Sequence, residues 1–150
     1  MKDSVIHLGL AGLGTVGSGL IKIIQENNDW IERRLGKTLK VKTIMVRDLD
    51  KHRNVIPSPD TTFTTSMDAL VNDPEIDIIV ELAGGVEFPR TLITRALNSG
   101  KSVVTANKAL LAEHGPELFE LAADKVLGLY YEASVAGGIP IIQTLKETLA

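Results

Sequence analysis

The chain has 150 residues, 44% of them hydrophobic and 23% charged, with a formal net charge of -3. These values describe one globular domain large enough to bury its own core, and they give no reason to expect nucleic acid or an anionic membrane as a partner. No apolar run reaches the roughly 20 residues that span a bilayer, and the absence of cysteine excludes disulfides and thiolate chemistry within these residues.

The first apolar run, Val5 to Ala11, follows one lysine and one aspartate and leads directly into glycines. It reads as an opening strand rather than a signal peptide, and a cytoplasmic location is the default expectation. From Thr15 to about Asn27, Val16, Leu20, Ile23 and Ile24 recur at helical spacing, and the stretch NDWIERRLGK extends that region towards Gly36. Trp30 is expected to pack on this long crossover. Leu39 to Val46 reads as the second strand, with Lys37, Lys40 and Lys42 as solvated charges along its edge.

Residues 47–65 are polar and carry Pro57 and Pro59, which predicts a long loop with a short strand near Phe63. Ser66 suits the N-cap of a short helix over MDALVND. IDIIVELAGG is a strong strand followed by glycines, and a helix is expected over about Glu87 to Asn98. A strand SVVTA, a helix from about Pro116 to Ala123, a strand LGLYYEA and a last helix from about Pro140 complete the order. Glu132 then ends a buried strand. The last helix reaches residue 150 with no stop signal, so the chain is expected to be the front part of something longer.

Strands alternating with helices predict an α/β fold, a Rossmann-like doubly wound and mostly parallel sheet with helices on both faces. Gly12, Gly14 and Gly17 stand where such a fold binds a dinucleotide, after a buried strand and at the opening of a helix. Gly12 permits the tight turn, Gly14 lets backbone approach a pyrophosphate, and Gly17 lets helix and strand pack closely. The competing reading is a strand-to-helix turn with no ligand.

A ribose-binding acid commonly stands about 20 residues beyond such glycines. Here Asp48 lies 36 positions after Gly12, and Arg47, Lys51 and Arg53 surround it. A guanidinium can pair with a 2′-phosphate, so NADP is favoured, with NAD tolerated through Asp48. Gly84 and Gly85 fall at the same sheet edge, as do Thr105, Asn107 and Lys108. Lys108 offers positive charge beside a carbonyl, a carboxylate or the cofactor. His7, His52 and His114 have no partner at zinc-ligand spacing.

GLGTVG, VRDLDK, ELAGG, GKSVVTANKALLAEHG and YEASVAGGIPII occur in an order and spacing that resemble the homoserine dehydrogenases across nearly the whole chain. The resemblance implies NAD(P)-dependent interconversion of L-homoserine and L-aspartate 4-semialdehyde, on the route to threonine, methionine and isoleucine. By position, it implies that Gly14, Thr15 and Val16 touch the pyrophosphate and Arg47 the adenosine end. Gly84, Gly85 and Thr105 would lie along the cofactor, with Lys108 between nicotinamide and substrate. It further implies a sodium ion held by the backbone carbonyls of Glu132, Val135, Gly137 and Ile139, with Gly137 and Gly138 giving the loop freedom to turn.

In the family, the substrate domain and its proton-donating lysine would follow residue 150. Residues 1–150 would then form the NAD(P)-binding domain of a homo-oligomeric enzyme, binding cofactor with little activity alone. Sugar-type oxidoreductases are the runner-up, since they usually show Glu-Lys-Pro where this chain has Asn107, Lys108 and Ala109. A dinucleotide-sensing module without chemistry would need neither Lys108 nor Glu132.

Overall fold

The computed structural model describes residues 4–148 apart from 136 and 138. Its strands are β1 (Val5–Ala11), β2 (Thr38–Met45), β3 (Thr62–Thr64), β4 (Ile78–Glu81), β5 (Ser102–Thr105) and β6 (Leu129–Tyr130). Its helices are α1 (Thr15–Leu35), α2 (Met67–Val71), α3 (Glu87–Asn98), α4 (Lys108–Asp124), α5 (Glu132–Val135) and α6 (Ile141–Thr148). All six strands pair in parallel in the order β3-β2-β1-β4-β5-β6. The order reverses between β1 and β4, where a doubly wound sheet opens a crevice beyond its carboxyl ends.

Alternation along the strands divides the core. Ala11, Met45, Ile79 and Val103 face α2, α3 and α4, whose Leu70, Leu92, Ile93, Leu97, Leu110 and Leu118 are buried. Leu10, Ile44 and Val80 point the other way, towards Ile21 of α1. Each buried leucine or isoleucine contributes about 1.5–3 kcal/mol. Helices on both faces of a parallel sheet are what the alternating apolar runs predicted.

Two boundaries differ from the sequence reading. Helix α4 begins at Lys108, because Asn107 caps it by accepting from the Leu110 N–H at 3.1 Å. Pro116 sits inside the helix and has no N–H to give the carbonyl four residues earlier. The last strand stops at Tyr130: Ser134 donates its hydroxyl to the Thr105 carbonyl at 3.0 Å and pulls the chain out of the sheet into α5. Glu132 therefore opens a short helix, and its carboxylate accepts from the Ile142 and Gln143 N–H groups at the start of α6 (2.8 and 3.1 Å). Ser66 holds the N-cap position of α2, but its side chain makes no capping bond.

Two side chains leave their expected surroundings. Trp30 is 55% exposed, with the Arg34 guanidinium 5.2 Å from its ring centroid, so it is a surface cation–π partner and not a packing residue. Lys42 is not a free edge charge: β2 lies inside the sheet, and its ammonium pairs with Asp73 at 2.7 Å and with Glu75. Lys101, buried at the start of β5, donates to the carbonyls of Asp73 and Ile76 (2.6 and 2.7 Å). Burial pushes its ammonium pKa down.

Lys42 holds the Asp73 carboxyl below its ordinary value of 3.8, first by hydrogen bonding. The folded state then binds fewer protons than the unfolded chain, so this contribution is complete above that value and lost as pH falls through the lowered folded pKa. Asp73→Asn is expected to cost about 1 kcal/mol at pH 7. The gap to the wild type should close as the buffer is taken below the carboxylate range. Urea midpoints at neutral and acid pH measure it, and a gap that is constant with pH contradicts the pairing.

Candidate functional site

Strand register brings the site to one edge. Ala11 pairs with Met45 on one side and with Glu81 on the other, and Glu81 pairs with Thr105. The chain leaves the sheet just beyond each, so the glycine turn, the Arg47 loop, the Gly84–Gly85 turn and the start of α4 emerge together. There a groove of about 900 Å³ is lined by Gly12 to Gly14, Met45 to Asp48, Lys51, Arg53, and Leu82 to Gly84, with Thr65 and Phe88.

Gly12 has φ +100, and a Cβ there would stand 2.6 Å from the Leu82 carbonyl oxygen. A Cβ on Gly17 would run into the Gly12 carbonyl. Both glycines serve close packing between β1, α1 and β4. Gly14 differs: a Cβ added to it meets nothing within 4 Å. It is the N-cap of α1, it supplies no side-chain cap, and the first turn of that helix holds no acid. The leading N–H groups and the positive end of a 21-residue helix therefore face open space beside the groove. Such a helix end is suited to an anion.

Thr15 and Val16 form the first turn of α1, both exposed. Arg47 and Asp48 are exposed on the groove wall, and one Asp48 carboxylate oxygen accepts from the Asp50 N–H at 2.9 Å. Gly84 and Gly85 both take positive φ, 74° and 81°, in the turn after β4. The Asn107 side chain donates to the Gly85 carbonyl at 2.7 Å.

Thr105 is fully buried beneath this edge. Its hydroxyl donates to Glu81 at 2.6 Å and accepts from the Asn107 N–H at 3.1 Å. Glu81, also fully buried, accepts from the Ala83 N–H at 2.8 Å. This carboxyl is a feature sequence reasoning missed, although an acid at the end of an apolar run was its signal. Lys108 is exposed at the first position of α4, on the same edge as Gly14 and Gly84 but outside the groove lining.

At the candidate cation loop, Glu132 and Val135 lie in α5, Gly137 has φ +61, and the Ile139 carbonyl accepts from the Ile141 N–H at 2.8 Å. Gly138 lies outside the described residues. Among the described residues, no group of three or more His, Asp or Glu side chains could hold a metal ion.

A second hollow of about 580 Å³ is walled by the middle of α1 and the entering halves of β1 and β2. No helix N-terminus opens into it, so it lacks the feature that suits the larger groove to an anion.

A family profile described as homoserine dehydrogenase, NAD binding domain, matches residues 12–132. The chain belongs to the homoserine dehydrogenase family, within its NAD-binding domain. It is 46% identical over 145 residues to the homoserine dehydrogenase of Bacillus subtilis (strain 168), covering 97% of this chain and 33% of that protein. A homoserine dehydrogenase structure from Thiobacillus denitrificans superposes with a TM-score of 0.89 at 47% identity, covering 97% of this chain and 33% of the other. A hyperthermophilic archaeal homoserine dehydrogenase in complex with NADPH gives 0.74 at 29% identity, covering 94% and 48%. The chain thus spans about a third of the length of the curated homoserine dehydrogenases it matches. Among its described residues no helix is long and apolar enough to cross a membrane.

Proposed function

We propose that this homoserine dehydrogenase domain seats NADP, with NAD as a weaker ligand, for the interconversion of L-homoserine and L-aspartate 4-semialdehyde. The observation that carries the cofactor reading is the open space at Gly14 before an uncapped helix N-terminus, beside a groove walled by Arg47 and Lys51. The N–H groups of Thr15, Val16 and Gly17 suit the diphosphate. Arg47 meets the adenosine end and its 2′-phosphate, and Asp48 has one carboxylate oxygen left for a ribose hydroxyl. The solved NADPH complex of an archaeal relative supports this choice. Titration of the chain with NADPH and NADH tests it; tighter binding of NADH overturns the role of Arg47.

The nicotinamide supplies hydride chemistry when bound. Lys108, at the front of α4, places a cation where an alkoxide develops on the substrate carbon, while Gly84, Gly85 and the backbone at Thr105 border the cofactor's path. The residues that grip the amino acid and donate the proton are proposed to lie in the portion of the relatives that this chain does not span, and this domain alone is expected to bind cofactor with little turnover. In a full-length context, Lys108→Met is expected to lower kcat by about 10²-fold with NADPH affinity nearly unchanged. Unaltered turnover removes Lys108 from the chemistry.

The backbone carbonyls of Glu132, Val135, Gly137 and Ile139 are proposed to take a monovalent cation such as sodium. Oxygen ligands suit a hard cation, and the Glu132 carboxylate is already committed to α6. A cytoplasmic homo-oligomer is the form expected of the whole enzyme.

A further inference from the structure

Residues 46–61 contain no regular secondary structure, yet part of that loop is drawn tightly around one side chain. The Arg53 guanidinium donates through Nη1 to the carbonyls of Leu49 (3.2 Å) and Lys51 (2.6 Å), and through Nη2 to the carbonyl of Asp48. Its central carbon lies 5.4 Å from the ring centroid of Phe63 on β3. The Asx turn from Asp48 to Asp50 tightens the same segment, and Val55 anchors its far end in the core beside Leu10 and Ile44.

We infer that Arg53 is a positioning residue, folding the 48–51 segment so that Arg47 and Lys51 face the groove together and select a dinucleotide carrying a 2′-phosphate. The inference rests on the cofactor reading above. Arg47 and Lys51 are both exposed, and holding two long side chains on one dianion costs conformational entropy that a preset backbone reduces. Three of the Arg53 N–H groups are committed to carbonyls, so although the residue borders the groove its contribution comes chiefly through the shape of the loop. A planar fork directs its donors at these spread carbonyls in fixed directions while stacking on the ring, whereas a compact ammonium on a flexible stem does not hold that span. Arg53→Lys therefore keeps the charge and loses the clamp, which separates the two roles.

The test is titration of the wild type, Arg53→Lys and Arg53→Met with NADPH and with NADH, alongside amide hydrogen exchange of the free proteins. The wild type is expected to favour NADPH. Both variants should lose about tenfold in NADPH affinity, lose distinctly less, about threefold, in NADH affinity because Asp48 belongs to the same segment, and exchange faster at Leu49 to Lys51. Amides of β1 and β4 should keep wild-type protection, which shows that the fold is intact. If Arg53→Lys retains the preference, or if both nucleotides weaken equally, the positioning role is overturned. A wild type without NADPH preference overturns the 2′-phosphate reading itself, and that result is seen before any variant is compared.

Discussion

Gly14→Val is expected to leave the fold standing and abolish dinucleotide binding. The position is exposed, its φ of -91° and ψ of -154° suit any residue, and its added Cβ meets nothing within 4 Å. Losing glycine at an N-cap costs up to about 1 kcal/mol, which lowers Tm by about 2–4 °C in a chain of this size. The diphosphate, however, must occupy the volume that the isopropyl group fills, and affinity should fall by more than about 100-fold. Gly12→Ala is the contrasting control. It forces a methyl against the Leu82 carbonyl at a positive φ, so it should fail in stability before binding is reached. Thermal melts with NADPH titration distinguish the two glycines. Wild-type affinity in a folded Gly14→Val protein would place the diphosphate elsewhere.

Thr105→Val is expected to be the most costly near-isosteric change at the site. Valine keeps the volume but strands a Glu81 carboxyl oxygen in the core and leaves the Asn107 N–H without its acceptor. Removing one partner of a buried carboxyl costs about 3 kcal/mol, or about 6–12 °C in Tm. Adding Glu81→Met should recover part of the loss, since removing both partners spares the desolvation of the one left behind. Thermal and urea unfolding of the single and double variants measure this. A Thr105→Val protein as stable as the wild type would mean that the buried carboxyl finds another donor.

What was legible in the sequence was local. Glycines after an apolar run announce a turn because few other residues can make it, and Gly12, Gly84 and Gly85 all stand at strand ends as read. The parallel sheet followed from the alternation of periods, and its register then brought distant turns to one edge. What escaped depended on partners far along the chain. Thr105 finds Glu81 24 residues away, and Lys42 finds Asp73 31 residues away. Lys101 is hidden because the carbonyls it satisfies belong to the loop before β4. The start of α4 is obscured for a different reason: Pro116 resembles a first-turn proline, while the true cap is the side-chain oxygen of Asn107, a residue whose place at the sheet edge also suits chemistry. The apolar run before Glu132 suggests a strand that includes it, whereas its partner is a helix start ten residues on.

Asn107 uses one end of its amide to start α4 and the other to grip the backbone of the Gly84–Gly85 turn. The helix bearing Lys108 and the turn after β4 are thus tied together through a single side chain. Under the proposed cofactor placement, a tilt of that helix reaches the turn bordering the groove through this one amide.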